Sequence, residues 1–358
     1  FNGTKNFPKH ELINYFESIG MEFGPEINAY TSFDETVYML KVPLDEEQYM
    51  EKGLQVLYDW ACQNTDSDEE IENERGIIHE EWRGGRDANY RMQQKWLPDF
   101  LYESRYAERL PIGKMEIVDN SPPEALRRYR KDWYRPDLQA VIVVGDFNQE
   151  DMVKKVKEKF SQIPAAENPA ERPFFEIPEQ EGPLFGLVTD KEASQTIIQY
   201  VIRHKKEKMA PESLMDHREG YIQNLFGDMM SQRVNELLQK GEPPFVFGAM
   251  GYSDFVRGYE IFSMYLSPKP NEEALGLSSL LTELERAKRY GFTQSELERA
   301  KAEILSRWEK KYNERDKISN DEYIQDYIGN FLYKDAYLSA DQGYMLAQAL
   351  VPTITVED

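Results

Sequence analysis

The sequence predicts an α+β protein of two homologous domains, each a mostly antiparallel sheet with helices packed on one face. Segments rich in Thr, Tyr, Val and Phe, typical of strands, alternate with amphipathic segments typical of helices. The order of these segments partly recurs in the second half, and a stretch rich in Pro and Glu separates the two halves. The 358 residues are enough for two domains, at roughly 100–200 residues per domain.

The first half begins with apolar residues at helical spacing, which Gly20 ends as a C-terminal cap. A later helix begins after Asp66, Ser67 and Asp68, residue types that cap helix N-termini. Prolines at 122 and 123 mark another helix start. The predicted elements are a helix over 8–19, a β-ribbon over 27–42 that turns near 33–35, helices over 45–63 and 68–82, a helix from 122 to 134, a buried strand over 138–144 and a helix over 149–163.

Residues 164–183 contain five prolines and many glutamates, which predicts a linker between the domains. The first domain then covers residues 1–163 and the second covers residues 184–358. The second half is predicted as strands within 184–202, a long helix over 212–240, a ribbon over 245–267, a helix pair over 272–290 and 293–313, and helical pieces near 322–332 and 340–350.

The chain is strongly acidic, with 43 Lys and Arg against 65 Asp and Glu and a net charge of −22. Such a surface repels phosphate backbones and anionic lipids, so we expect neither nucleic acid nor a membrane as partner. No apolar run approaches the roughly 20 residues of a membrane-spanning helix. Cys62 is the single cysteine, so no internal disulfide can form. A periplasmic or a cytoplasmic location agrees equally well with this composition.

The helix predicted from residue 68 carries Glu70, Glu74 and Glu81 at intervals of four and seven, which places them along one face. One interpretation is a solvated acidic face. The other is that Glu81 is a metal ligand and that Glu74 shapes the field behind it. A zinc site needs further convergent ligands, and His10, His79, His204 and His217 include no pair at helical i, i+3 or i, i+4 spacing.

The ribbon segment that contains Asn28, Ala29 and Tyr30 also has two interpretations. It is either an ordinary β-strand or an edge strand that an extended peptide can join through main-chain hydrogen bonds. The residue pattern does not separate the two.

Three stretches in a fixed order carry a family resemblance: Phe1-x-Gly3-Thr4-Lys5-x-x-Pro8, Asn28-Ala-Tyr-Thr-Ser32, and Glu74-Arg-Gly-Ile-Ile-His-Glu-Glu81. Together with later segments over essentially the whole chain, they resemble the insulinase/pitrilysin family of zinc metallopeptidases, which carry an inverted H-x-x-E-H motif. The resemblance implies that the parent protein uses zinc to hydrolyse peptides or unfolded protein segments.

By the same resemblance, Glu81 corresponds to the third zinc ligand and Glu74 to a supporting glutamate of the catalytic machinery. Asn28, Ala29 and Tyr30 correspond to the strand that receives the substrate backbone. The first domain would be the peptidase domain and the second a non-catalytic one. The likeness is to the N-terminal half of a long, four-domain bacterial member, whose partner is a homologous C-terminal half or a partner subunit.

The sequence departs from this family at the motif itself, because H-x-x-E-H occurs nowhere in the chain. We therefore expect the two zinc-binding histidines and the catalytic glutamate to lie upstream of Phe1, and the second domain to be shortened at its C-terminus. As given, the chain should hold no catalytic zinc and should be inactive. The alternative is a non-catalytic structural or peptide-binding subunit of the same family.

Overall fold

The computed structural model describes residues 3–9, 11–85, 87–206 and 213–358. It divides into two compact units, Phe1–Val141 with Gly145–Ala193, and Ile142–Val144 with Ser194–Asp358. Both units combine helices with a small antiparallel sheet, which confirms the predicted α+β class. The domain limits at residues 163 and 184 stay predictions.

The first unit is mainly helical around one β-ribbon. In chain order its elements are α1 (Glu11–Ser18), β1 (Ile27–Thr31), β2 (Thr36–Leu40), α2 (Glu47–Cys62), α3 (Asp68–Gly84), α4 (Ala88–Phe100), α5 (Arg105–Glu108), α6 (Met115–Asn120), α7 (Pro123–Trp133) and α8 (Gln149–Phe160).

The ribbon forms where the sequence predicts it. β1 and β2 pair in antiparallel register from Ile27 opposite Leu40 to Thr31 opposite Thr36. A hydrogen bond from the Ser32 amide to the Glu35 carbonyl, at 2.9 Å, closes the turn between the two strands. One face packs on α1 and α2 in a core that excludes water and thereby holds the ribbon in place. The buried members of this core include Leu12, Phe16, Met21, Ile27, Val56 and Trp60.

The second unit has a three-stranded antiparallel sheet in the order β3-β5-β4. Its elements are β3 (Ile198–Lys205), α9 (Leu214–Gln239), β4 (Phe245–Asp254), β5 (Tyr259–Pro268), α10 (Glu273–Tyr290), α11 (Gln294–Asn313), α12 (Asn320–Tyr333) and α13 (Ala340–Leu350). The predicted start of the long helix at Glu212 lies outside the described residues, as does His10.

Two apolar clusters stabilise this unit. α9 and α10 pack on one face of the sheet, where Met230, Phe262, Met264, Leu266 and Leu280 are buried. Behind them, α9, α11 and α13 enclose a second cluster that includes Leu225, Leu297, Ile304 and Ala347. Nowhere in the described ranges is a helix both long and apolar enough to cross a bilayer.

The strand predicted over 138–144 is wrong, and the strands predicted within 184–202 are confirmed only from Ile198, where β3 begins. Residues 138–144 and 184–190 form no strand, although both stretches are rich in apolar residues. A strand requires a hydrogen-bonded neighbour, and the described sheets contain no strand that pairs with either segment. Phe185 and Leu187 are accordingly 92% and 91% exposed.

Candidate functional site

Helix α3 displays its acidic residues to solvent. It begins after Ser67, whose hydroxyl oxygen accepts the Glu70 amide at 3.3 Å, the capping that the sequence predicts. None of its 17 residues is fully buried, and Glu74 and Glu81 are both exposed. At about 100° and 1.5 Å per residue, the two glutamates lie within about 20° of each other around the helix and about 10 Å apart along it.

The basic side chains of α3 are engaged elsewhere. Each one contacts an acidic residue other than Glu74 or Glu81, and Arg75 also donates to the Ser121 carbonyl oxygen at 2.5 Å. The pairs are Arg75 with Glu72 at 3.1 Å, His79 with Asp119 at 2.6 Å and Arg83 with Glu80 at 2.5 Å.

The side chains of Glu74 and Glu81 have no hydrogen bond or ion pair to any described residue. Like charges along one helix face repel by a few tenths of a kcal/mol per pair unless a cation lies against them. The face that contains both glutamates is therefore unneutralised within the described chain, and it can accept a metal ion or a basic group from outside.

A zinc ion needs at least three protein ligands in a catalytic site. Across the described ranges, no group of three or more His, Cys, Asp or Glu side chains could hold a metal ion. H-x-x-E-H is also absent from the sequence. The described residues do not form a zinc site by themselves, and Glu81 can supply at most one ligand to a site that other residues complete.

The β1 strand pairs with β2 along one edge, and no strand of the described residues lies along the other, which we call the open edge. At the start of this open edge Phe23 forms a single bridge to Ile27. Glu26 accepts the Lys41 amide and Ser32 donates to Glu35, so even-numbered residues of β1 direct their main-chain groups toward β2. Of the three predicted substrate-binding residues, only Ala29 directs its amide and carbonyl to the open edge. Asn28 and Tyr30 are on the exposed face of the ribbon and can contribute side chains.

No hydrogen bond or ion pair among the described residues joins Glu74 or Glu81 to β1. The structure thus brings the five predicted residues onto two separate elements of the first unit. It leaves their assignments as metal ligand, supporting glutamate and substrate strand as predictions.

Sequence reasoning missed Asp59, which is fully buried in α2. Its carboxylate accepts the Thr4 hydroxyl at 2.6 Å, the Asn6 side-chain amide at 2.8 Å and the Gln55 amide at 2.7 Å. These bonds satisfy a buried charge and fix the segment that carries Gly3 and Thr4 against α2. An acidic residue directly before a core tryptophan, Trp60, is the signal that would have revealed it.

Comparison with known families identifies the class of protein. A family profile described as "Peptidase M16 inactive domain" matches residues 122–304, more than half of the chain. A second, described as "Insulinase (Peptidase family M16)", matches residues 1–113. The chain belongs to peptidase family M16, the insulinase family, which confirms the resemblance.

Individual relatives agree with this assignment. "Zinc protease PQQL-like" of Arabidopsis thaliana is 28% identical over 359 residues, which cover 100% of this chain and 34% of the relative. "Probable zinc protease PqqL" of Escherichia coli strain K12 is also 28% identical over 359 residues, with 38% of its length covered. The chain thus spans between a third and two fifths of these curated relatives.

A solved structure matches the fold over the whole chain. It is described as the first half of the periplasmic protease PqqL from Escherichia coli, with 27% sequence identity and a TM-score of 0.90. The match covers 100% of this chain and 76% of the solved one.

Proposed function

We propose that this chain is part of a zinc metalloendopeptidase that hydrolyses peptides or unfolded protein segments. The observation that carries the proposal is the pair Glu74 and Glu81, whose side chains have no partner among the described residues while the basic side chains of α3 pair elsewhere. Membership of a peptidase family and relatives named zinc proteases support it.

In this proposal Glu81 provides the third zinc ligand and Glu74 supports the site from one face of the same helix. Their separation of about 10 Å along α3 fits two different tasks better than shared contact with one ion. The two histidines and the catalytic glutamate then have to come from polypeptide outside these 358 residues. The chain alone accordingly binds no catalytic zinc and hydrolyses no peptide.

The open edge of β1 is the proposed substrate site. An extended peptide that adds to this edge would hydrogen-bond to the Ala29 main chain, and its side chains would lie beside Asn28 and Tyr30. Main-chain recognition of this kind is indifferent to most side chains, which suits an enzyme acting on unfolded segments.

The remaining proposals concern organisation. Residues 1–163 would form the peptidase domain, 164–183 a linker and 184–358 a non-catalytic domain. A homologous C-terminal half or a partner subunit would complete the enzyme, since the chain covers only 34–38% of the curated relatives. Similarity to a protease described as periplasmic favours the periplasm.

The test compares the 358-residue chain with a longer polypeptide that includes the genomically encoded residues on both sides. We expect the longer polypeptide to cleave a quenched fluorescent peptide with zinc and to lose this activity with a chelator. The 358-residue chain should be inactive under both conditions. A longer polypeptide without chelator-sensitive activity would contradict the proposal and favour the alternative, a non-catalytic peptide-binding subunit.

A further inference from the structure

The outward main-chain groups at the start of β1 already have partners from within the chain. The Ile27 carbonyl accepts the Gly24 amide at 2.9 Å. The Ala29 amide donates to the side-chain Oδ1 of Asn28 at 2.8 Å. The edge that the proposed function assigns to a peptide has no neighbouring strand, but its Ile27 carbonyl and its Ala29 amide are already hydrogen-bonded locally.

The Asn28 side chain is held at both ends. While Oδ1 accepts from Ala29, its Nδ2 donates to the Gly24 carbonyl at 3.2 Å. Gly24 has a φ of +108°, a conformation that favours glycine and that turns the preceding loop back along the β1 edge. Both hydrogen bonds are exposed to solvent, where water competes and the net contribution of each is small.

Of residues 28–30, only Ala29 offers its amide to a peptide that adds to β1, because the amides of Asn28 and Tyr30 point toward β2. We propose that the Asn28 side chain is a displaceable cap, which holds the Ala29 amide until a main-chain carbonyl of an extended peptide replaces it. This inference rests on the proposed function of β1 as the substrate strand. It makes Asn28 a positioning residue whose side chain competes with the peptide.

The cap would also protect the free protein. An exposed strand edge with an unpaired amide and carbonyl is a template for pairing with other chains. An exposed cap of low net stability blocks such pairing and still yields to a substrate that pairs over several residues at once.

The first arm of the test measures the exchange rate of the Ala29 amide hydrogen, residue by residue along β1, in the peptide-free 358-residue chain. Asn28→Ala removes the acceptor and should speed exchange of the Ala29 amide about three- to ten-fold. Asn28→Asp keeps an acceptor oxygen and should keep exchange slow. Thr31→Ala is the matched control, because it changes a neighbouring exposed side chain and no acceptor for Ala29. Unchanged exchange in Asn28→Ala overturns the inference.

The second arm measures binding of a short uncharged peptide rich in Thr and Val, end-capped and labelled with fluorescein, by anisotropy. Asn28→Ala should bind about three- to ten-fold more tightly, because no cap has to leave. Asn28→Asp should bind more weakly, because a charged acceptor holds the amide more strongly. Ala29→Pro, which removes the outward amide without breaking a bond to β2, should abolish binding.

The two arms separate the inference from the function on which it rests. Weaker binding by Asn28→Ala would make Asn28 a direct peptide ligand and overturn the cap. A further outcome is that exchange changes as predicted but neither the parent chain nor any variant binds the peptide. In that case the proposed function of β1 as the substrate strand is wrong, and the proposed displacement of the Asn28 cap by a peptide is wrong with it. Slow exchange of the Ala29 amide in Asn28→Asp, together with weaker peptide binding by this variant, supports the proposal. A purely structural role of Asn28 would not link slower exchange to weaker binding.

Discussion

Helices α3 and α11 begin alike, since each follows a Ser or Thr cap and has an acidic residue in its first turn, yet their surroundings are opposite. α11 buries Leu297 and Ile304, and its Glu296 pairs with Arg233 at 2.6 Å with only 14% of the carboxylate side chain exposed. α3 buries none of its residues and leaves Glu74 and Glu81 without a partner in the described chain. A carboxylate neutralised within the fold contributes to stability, whereas an unneutralised one is available to a ligand.

The largest expected difference concerns a glycine in α3 and one that packs on α11. A Cβ at Gly343 of α13 would overlap the Trp308 ring of α11, whereas a Cβ at Gly76 of α3 would meet nothing within 4 Å. We expect Gly343→Ala to lower the free energy of unfolding by about 3 kcal/mol through overpacking. Gly76→Ala should raise it by about 0.5–1 kcal/mol through helix propensity. Urea denaturation of both variants checks the signs, and equal effects would contradict the comparison.

The second difference concerns ion pairs. Arg233→Ala leaves the mostly buried Glu296 without its partner, and we expect a loss of about 2 kcal/mol, below the roughly 3–5 kcal/mol of a fully buried pair. Arg83→Ala breaks an exposed pair with Glu80 on α3 and should change stability by less than about 0.5 kcal/mol. Thermal unfolding of the two variants measures both. A cost at Arg83 as large as at Arg233 would show that α3 is packed as α11 is.

The third difference is in pH dependence. The hydrogen bond from Arg233 lowers the pKa of Glu296 from its usual 4.5 to about 2. Because the folded-state pKa is depressed, this stabilisation is complete above about pH 4.5 and is lost as the pH falls from 4.5 toward 2. Glu296→Gln should therefore flatten the loss of stability in this range, as followed by circular dichroism. An unchanged acid transition in this variant would contradict the assignment.

The smallest expected effect is on α3 itself. Glu74→Gln or Glu81→Gln removes a like-charge repulsion and should leave the stability of the 358-residue chain within about 0.5 kcal/mol, with a slight gain. Urea midpoints of both variants against the parent chain check this. A loss of more than about 1 kcal/mol would mean that these glutamates have structural partners, as Glu296 has.

Much of the fold could be predicted from local patterns. The ribbon around Phe33, the cap at Ser67 and the helix pair around Gly291 depend on nearby residues, and the structure has all three. The strand predicted over 138–144 and the first part of the strands predicted within 184–202 are absent, because a strand depends on a neighbour that sequence periodicity does not report. An apolar β-branched run indicates burial or pairing, and it does not identify the partner.

For the candidate site, too, the sequence predicted the positions of residues along their elements but not their long-range contacts. Spacing placed Glu74 and Glu81 on one helix face, but it could not reveal that the basic residues of α3 pair elsewhere. Alternation indicated a strand at Asn28–Tyr30, but only the observed register shows that, of these three residues, Ala29 directs its main chain to the open edge. Charge pairing and register are both long-range properties.

The role proposed for Glu81 is that of a zinc ligand, and its side chain has no partner among the described residues. The most direct measurement is the zinc content, by mass spectrometry of the metal, of the longer polypeptide and of two variants. Glu81→Gln should lose zinc, whereas Glu80→Gln, which alters the adjacent glutamate paired with Arg83, should retain one zinc per chain. Full zinc occupancy in Glu81→Gln, or equal loss in both variants, would contradict the account.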